Sequence, residues 1–162
     1  MSQIKQHRFY PWLIWVLAAG FFFCEYLARV APSVMAPELM QAFKVNALSL
    51  GVLSSLFYIA YIVMQIPVGS LVDRFGPHRL LTVTATISAL SCFMFAEAQS
   101  LHVAEIGRLL FGVSAAFAFV GALKLATIWF PSNRFGLLAG LTQALGMLGA
   151  SFGEGPVALG VA

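Results

Sequence analysis

Gly69-Ser70-Leu71-Val72-Asp73-Arg74-Phe75-Gly76-Pro77-His78-Arg79 is the stretch that decides the fold. Its last seven residues hold an acid, two arginines and a histidine, and the long runs on either side carry almost no charge. A turn this polar between segments this apolar reads as a loop at a membrane surface, where basic residues gather and set topology. The spacing carries more information. Asp73-Arg74 follows Gly69 by four residues, Gly76 comes two after Arg74, and Arg79 three after that.

The composition sets the solvent. Of 162 residues, 60% are hydrophobic and 9% charged, and the mean hydropathy is +0.91. An average soluble domain is about 25% charged, so this chain cannot cover a water-facing surface and must face lipid. A spanning helix needs about 20 mostly apolar residues. The length allows five or six of them and no separate soluble domain. The net charge of +3 is dispersed, which argues against nucleic acid as a partner. Cys24 and Cys92 both lie in apolar runs and are expected as buried free thiols. No metal cluster, cofactor motif or nucleophile elbow is visible, and an enzymatic role is not expected.

Working outward, the sequence predicts an all-α membrane protein, a single transmembrane domain over 1–162. Its five spans fall at about 11–36, 49–72, 80–96, 103–130 and 135–155. Pro11 suits a helix start, and Trp12 and Trp15 suit an interfacial anchor. Pro32 and Pro37 bend or end the first span, and a short polar connection follows through Glu38, Lys44 and Asn46. The third span carries only small hydroxyls and reads as peripheral. In the fifth, Gly136/Gly140 and Gly149/Gly153 have the spacing of close helix contacts. With the N-terminus inside, the inner segments hold Lys5, Arg8, Arg74, Arg79 and Arg134, against only Lys44 outside. The N-terminus is therefore expected in the cytoplasm.

The informative residues are charges in the wrong solvent: Glu25, Arg29, Arg108, Lys124 and Glu154. Each costs about 2.5–3.5 kcal/mol or more at mid-bilayer, so such groups face a protein interior or a watery cavity. Arg29 and Arg108 could attract a carboxylate, with Glu25 as carrier of a proton or cation. Alternatively these groups only pair, Glu25 with Arg29 or Glu154 with Arg108, and tie helices together. Lys124 could join a binding site or snorkel to the inner surface. Tyr58, Tyr61 and Gln65 put polar groups at helical spacing on the second span, as cavity-lining candidates.

Gly69 to Arg79 resembles the signature loop between the second and third helices of the major facilitator superfamily. Arg108-Leu-Leu-Phe-Gly112-Val-Ser-Ala115-Ala116 resembles its fourth-helix signature. Arg29-Val-Ala-Pro32-Ser, Gln65-Ile-Pro67-Val-Gly69 and Trp129-Phe-Pro131 look like the anion:cation symporter branch. Lys124-Leu-Ala-Thr-Ile-Trp129-Phe and Gly149-Ala-Ser-Phe-Gly153 are similar to a phagosomal branch whose members move amino acids. Pro77-His78 stands where many members have two basic residues, and Gly155-Pro156 only partly matches the family's fifth-helix signature.

The resemblance implies a twelve-helix fold of two six-helix halves that rock around a midplane site. It implies secondary transport of a small solute such as an amino acid or organic anion, with protons or a cation as possible coupling partner, in a bacterial inner membrane. The switch loop would be Gly69, Asp73, Arg74, Gly76 and Arg79. Asp73 would brace against Arg74 and Arg79 and meet a helix N-terminus of the other half. Five spans are fewer than the six of one half. The expectation is therefore the N-terminal part of such a transporter, lacking its C-terminal half or a companion chain. The alternative is a truncated, non-transporting membrane piece that needs a second polypeptide.

Overall fold

Prolines and glycines punctuate the chain. The computed structural model describes residues 9–155; Lys5, His7, Arg8 and Pro156 lie outside them. Pro11 sits in the first turn of α1, Tyr10–Val34, and Pro32 lies within its last turn. After Met35 comes a short helix, α2, Ala36–Phe43. Asn46 caps α3, Ala47–Phe75, accepting a hydrogen bond from the Ser49 N–H at 3.0 Å. A single residue, Gly76 at φ 84°, joins α3 to α4, Pro77–Ala96. That left-handed φ suits glycine, and Pro77 then opens the next helix. α5 runs Leu101–Trp129, a 3₁₀ turn follows at Ser132–Arg134, and α6 is Phe135–Glu154. Five of these helices are long and apolar enough to cross a bilayer. The protein is an all-α integral membrane protein.

α2 corrects the expectation of a short polar connection. Leu39, Met40 and Phe43 recur at three- and four-residue spacing and give this segment an apolar stripe. The stripe packs on a cluster of Leu50, Leu53 and Ala104, with Leu39 itself buried. Pro37 and Glu38 in the first turn favour the helix start, and Lys44 at φ 53° ends it.

α5 is the central helix. It packs along α3 and α4, touches α1 and α6, and holds more buried residues than any other helix; α6 lies along α1. Small residues explain this. A side chain at Gly112 would collide with the Phe57 carbonyl of α3, and Gly107 leaves a Cβ only 3.2 Å from the Ser91 carbonyl of α4. Without a hydrophobic force between helices in lipid, such close backbone approach carries the packing. Ser88 and Ser114 bridge α4 to α5 at 2.7 Å, and Thr84, Ser88 and Ser91 are buried on the packing face while Thr82 and Thr86 are exposed. In α6, Gly149 and Gly153 meet Phe23 and Val30 of α1. Gly136 and Gly140, expected to make a similar contact, have open space around them among the described residues.

Two further expectations change. Trp15 is buried, donating through Nε1 to Thr142 Oγ1 at 3.1 Å across α1 and α6, and is not an interfacial anchor. Cys24 and Cys92 are free, as expected, but exposed, on the sides of α1 and α4 that border the gap between these helices.

Gly112→Ala should destabilise the bundle by about 1–3 kcal/mol, because backbone cannot give way as a side chain can. Gly140→Ala should be neutral or slightly stabilising, since alanine gains up to about 1 kcal/mol in a helix. Unfolding titrations in mixed micelles would show the difference.

Candidate functional site

Pro32 prepares the site. Having no N–H, it leaves the Ala28 carbonyl, four residues back, without its helical donor. Arg108 of α5 fills that role. Its guanidinium donates to the Ala28 carbonyl at 3.4 Å and the Arg29 carbonyl at 3.3 Å. The side chain is 4% exposed. Gly107 and Gly112 on either side of it let α4 and α3 close around it.

Arg29 lies on the α3 side. Its guanidinium carbon is 4.3 Å from the Tyr26 ring centre, 4.9 Å from Tyr61 and 5.0 Å from Phe57. Arg108 shares the Phe57 ring, at 4.9 Å. Two cations thus converge on one aromatic wall, where each is attracted to a ring face. Rings do not satisfy N–H donors, however. Arg29 Nε and one terminal nitrogen, and Arg108 Nε, are buried without a hydrogen-bond partner. Unmade bonds of charged groups are costly, and they are donors aimed at an acceptor the chain does not supply.

Glu25 is 2% exposed, with neither carboxylate oxygen hydrogen-bonded. It lines a cavity of about 180 Å³ between α1, α4 and α5, with Ser88 and both cysteines. The two pairings raised as alternatives are not made. Among the described residues the ion pairs are His102–Glu105 and Lys124–Asp73. Glu25 is one helical turn from Arg29 but faces α4, whereas Arg29 faces α3; Glu154 is exposed at the end of α6.

Six residues were singled out for binding or coupling. Arg29, Arg108 and Tyr61 come together around Phe57, and Glu25 lies one helical turn from Arg29 on the α4 side. Tyr58 is half exposed, edge-on to Phe57. Lys124 lies at the other end of α5, about 24 Å from Arg108 by helical rise. There its Nζ is 2.6 Å from Asp73 Oδ1. That contact replaces the expected brace of Asp73 against Arg74 and Arg79. Arg74 instead lies over Phe75, and Gly69 has open space around it. Tyr26 and Phe57 were missed. Their signal was present: Tyr26 precedes Arg29 by three residues and Phe57 precedes Tyr61 by four, which places each pair on one helix face.

Residues 17–162 match the family model described as Major Facilitator Superfamily. The chain is 37% identical over 139 residues to the uncharacterized transporter YybO of Bacillus subtilis, covering 85% of this chain and 32% of the relative. It is 30% identical over 130 residues to the probable sulfoacetate transporter SauU of Cupriavidus necator, covering 80% and 30%. The nitrate/nitrite transporter NrtP of a Picosynechococcus is 28% identical over 131 residues, covering 81% and 24%. The chain spans 24–32% of the length of these curated relatives. Their names are those of transporters, not enzymes.

Proposed function

The chain belongs to the major facilitator superfamily, and from that premise we propose that it supplies the anion-recognising helices of a secondary transporter for a small organic anion. The observation that carries this reading is the pair of guanidiniums, Arg29 and Arg108, on one aromatic wall with buried donors unmatched. A guanidinium presents parallel N–H donors that fit a carboxylate or sulfonate. Sulfoacetate, named for one relative, carries both groups, and nitrate, named for another, is a planar oxyanion that the same fork can grip. Glu25 serves as the proton carrier: a buried carboxylic acid with no hydrogen-bond partner can take up and release a proton as access alternates. The N-terminus lies in the cytoplasm of a bacterial inner membrane, with the Asp73–Lys124 pair at the inner face.

An amino acid is the second reading, favoured by the unpartnered Glu25, which could accept an ammonium group. Thermal unfolding of the protein with added solutes separates the two. Sulfoacetate should raise the midpoint and equimolar taurine, a sulfonate of similar size with an ammonium group in place of the carboxylate, should not. Stabilisation by taurine alone would favour the amino-acid reading, and no response to either anions or zwitterions would contradict both.

A further inference from the structure

The hydrogen bond that ties α4 to α5 has a fixed direction. A serine hydroxyl has one proton, and Ser114 gives its own to the Phe111 carbonyl at 2.9 Å. The 2.7 Å contact between Ser88 and Ser114 is therefore made with the Ser88 proton. Ser114 is fully buried and does not line the Glu25 cavity, whereas Ser88, 6% exposed, does. After donating to Ser114, the Ser88 oxygen still has acceptor capacity. Of the side chains lining the cavity, Ser88 carries the one hydroxyl. Besides Glu25, the other polar ones are the thiols of Cys24 and Cys92, which are weak hydrogen-bonding groups.

A proton carrier needs a different partner in each of its states. Protonated, its O–H needs an acceptor; ionised, its oxygens need a donor. A hydroxyl serves as either. We propose that Ser88 is the positioning partner of Glu25, an inference that rests on the reading of Glu25 as the proton carrier. While Glu25 is protonated, Ser88 accepts its O–H across the cavity and keeps donating to Ser114. When the proton leaves to water, Ser88 turns to another staggered rotamer and donates to the carboxylate instead. A hydrogen bond to an ionised acceptor is about twice as strong as one between neutral groups, so the turn is favourable. It breaks the bond between α4 and α5, and release of the proton is thereby felt by the helix that carries Arg108. The other titratable or charged groups around Glu25 are Cys24, Tyr26 and Arg29 on α1, Cys92 on α4 and Arg108 on α5. They are unchanged in the variants that test the proposal.

The test follows the Glu25 carboxyl itself and needs no transport. Infrared pH titration of the full chain in proteoliposomes gives the carboxylic C=O band that is lost in Glu25→Gln. Ser114 competes with the carboxylate for the Ser88 proton, so removing the competitor favours the ionised carboxyl. Ser114→Ala should therefore move the half-titration point of that band toward acid by about half to one pH unit, the strength of the one neutral bond it removes. Made in a Ser88→Ala background, the same substitution should move it by nothing, because the effect passes through the Ser88 hydroxyl. A purely structural role for the serine pair predicts no acid shift that depends on Ser88. No shift in Ser114→Ala, an alkaline shift, or an acid shift that persists in the Ser88→Ala background would each overturn the proposal and leave Glu25 as carrier. A chain with no titrating band lost in Glu25→Gln would overturn the carrier reading together with it.

Discussion

Arg29→Ala is expected to weaken anion uptake by about 30-fold to several thousandfold, while insertion and expression stay at the wild-type level. The figure follows from removing a charged donor from a buried contact, which costs about 2–5 kcal/mol. Arg29 is suited to such a loss because its fork is held over Tyr26, Phe57 and Tyr61 with two nitrogens unmatched. Arg29→Lys should be intermediate: the positive charge stays, but the planar fork and its stacking are lost. If the rings rather than the anion were the functional partners of Arg29, the alanine variant would lose stability and keep its affinity. Uptake and unfolding measured on the same variant therefore separate the two roles.

The second large effect is expected at Glu25. A one-unit pH difference carries about 1.4 kcal/mol per proton, enough for about tenfold accumulation of a monovalent anion that enters with one proton. For a monovalent anion that combination moves no net charge, so the pH difference is the whole driving force; the dianion sulfoacetate needs two protons for the same balance. Uptake should therefore rise as the outside becomes more acidic. Glu25→Gln preserves shape and cannot carry the proton. It should hold the accumulation ratio at about one whatever the pH difference, while exchange of external for internal anion continues. Retained proton-driven accumulation in Glu25→Gln would move the coupling role to another group.

The sequence signalled these residues through cost. Glu25, Arg29 and Arg108 stand out because isolated charges in a membrane helix need a protein reason. Their partners were less legible. Arg108 bonds to the Ala28 carbonyl because Pro32 removes the helical donor, a link that crosses from α5 to α1 over 80 residues. A charge-pairing argument looks for acids and overlooks a backbone oxygen that a proline has freed. The same bias made a Glu25–Arg29 pair look natural from their spacing. Four residues place two side chains near one another, but packing on α4 and α3 draws these two apart.

Helix positions were read from hydropathy, and the motif at 69–79 gave the family. The short helix α2 was obscured by its polar residues, since its apolar stripe is only two turns long. Gly149 and Gly136 illustrate a different limit. Both belong to pairs at four-residue spacing, and only the partner surface decides which pair is used. The Lys124–Asp73 contact depends on where two helix ends meet, which no local pattern encodes.

The central claim is that Arg29 and Arg108 together recognise a small anion. Its most direct measurement is calorimetric titration of sulfoacetate into the protein, its Arg29→Ala variant and its Arg108→Gln variant. Saturable binding to the wild type, lost in both variants with helix content unchanged, is the result predicted. Binding of equal affinity in all three would contradict the claim and leave the two arginines as ties between α1, α3 and α5.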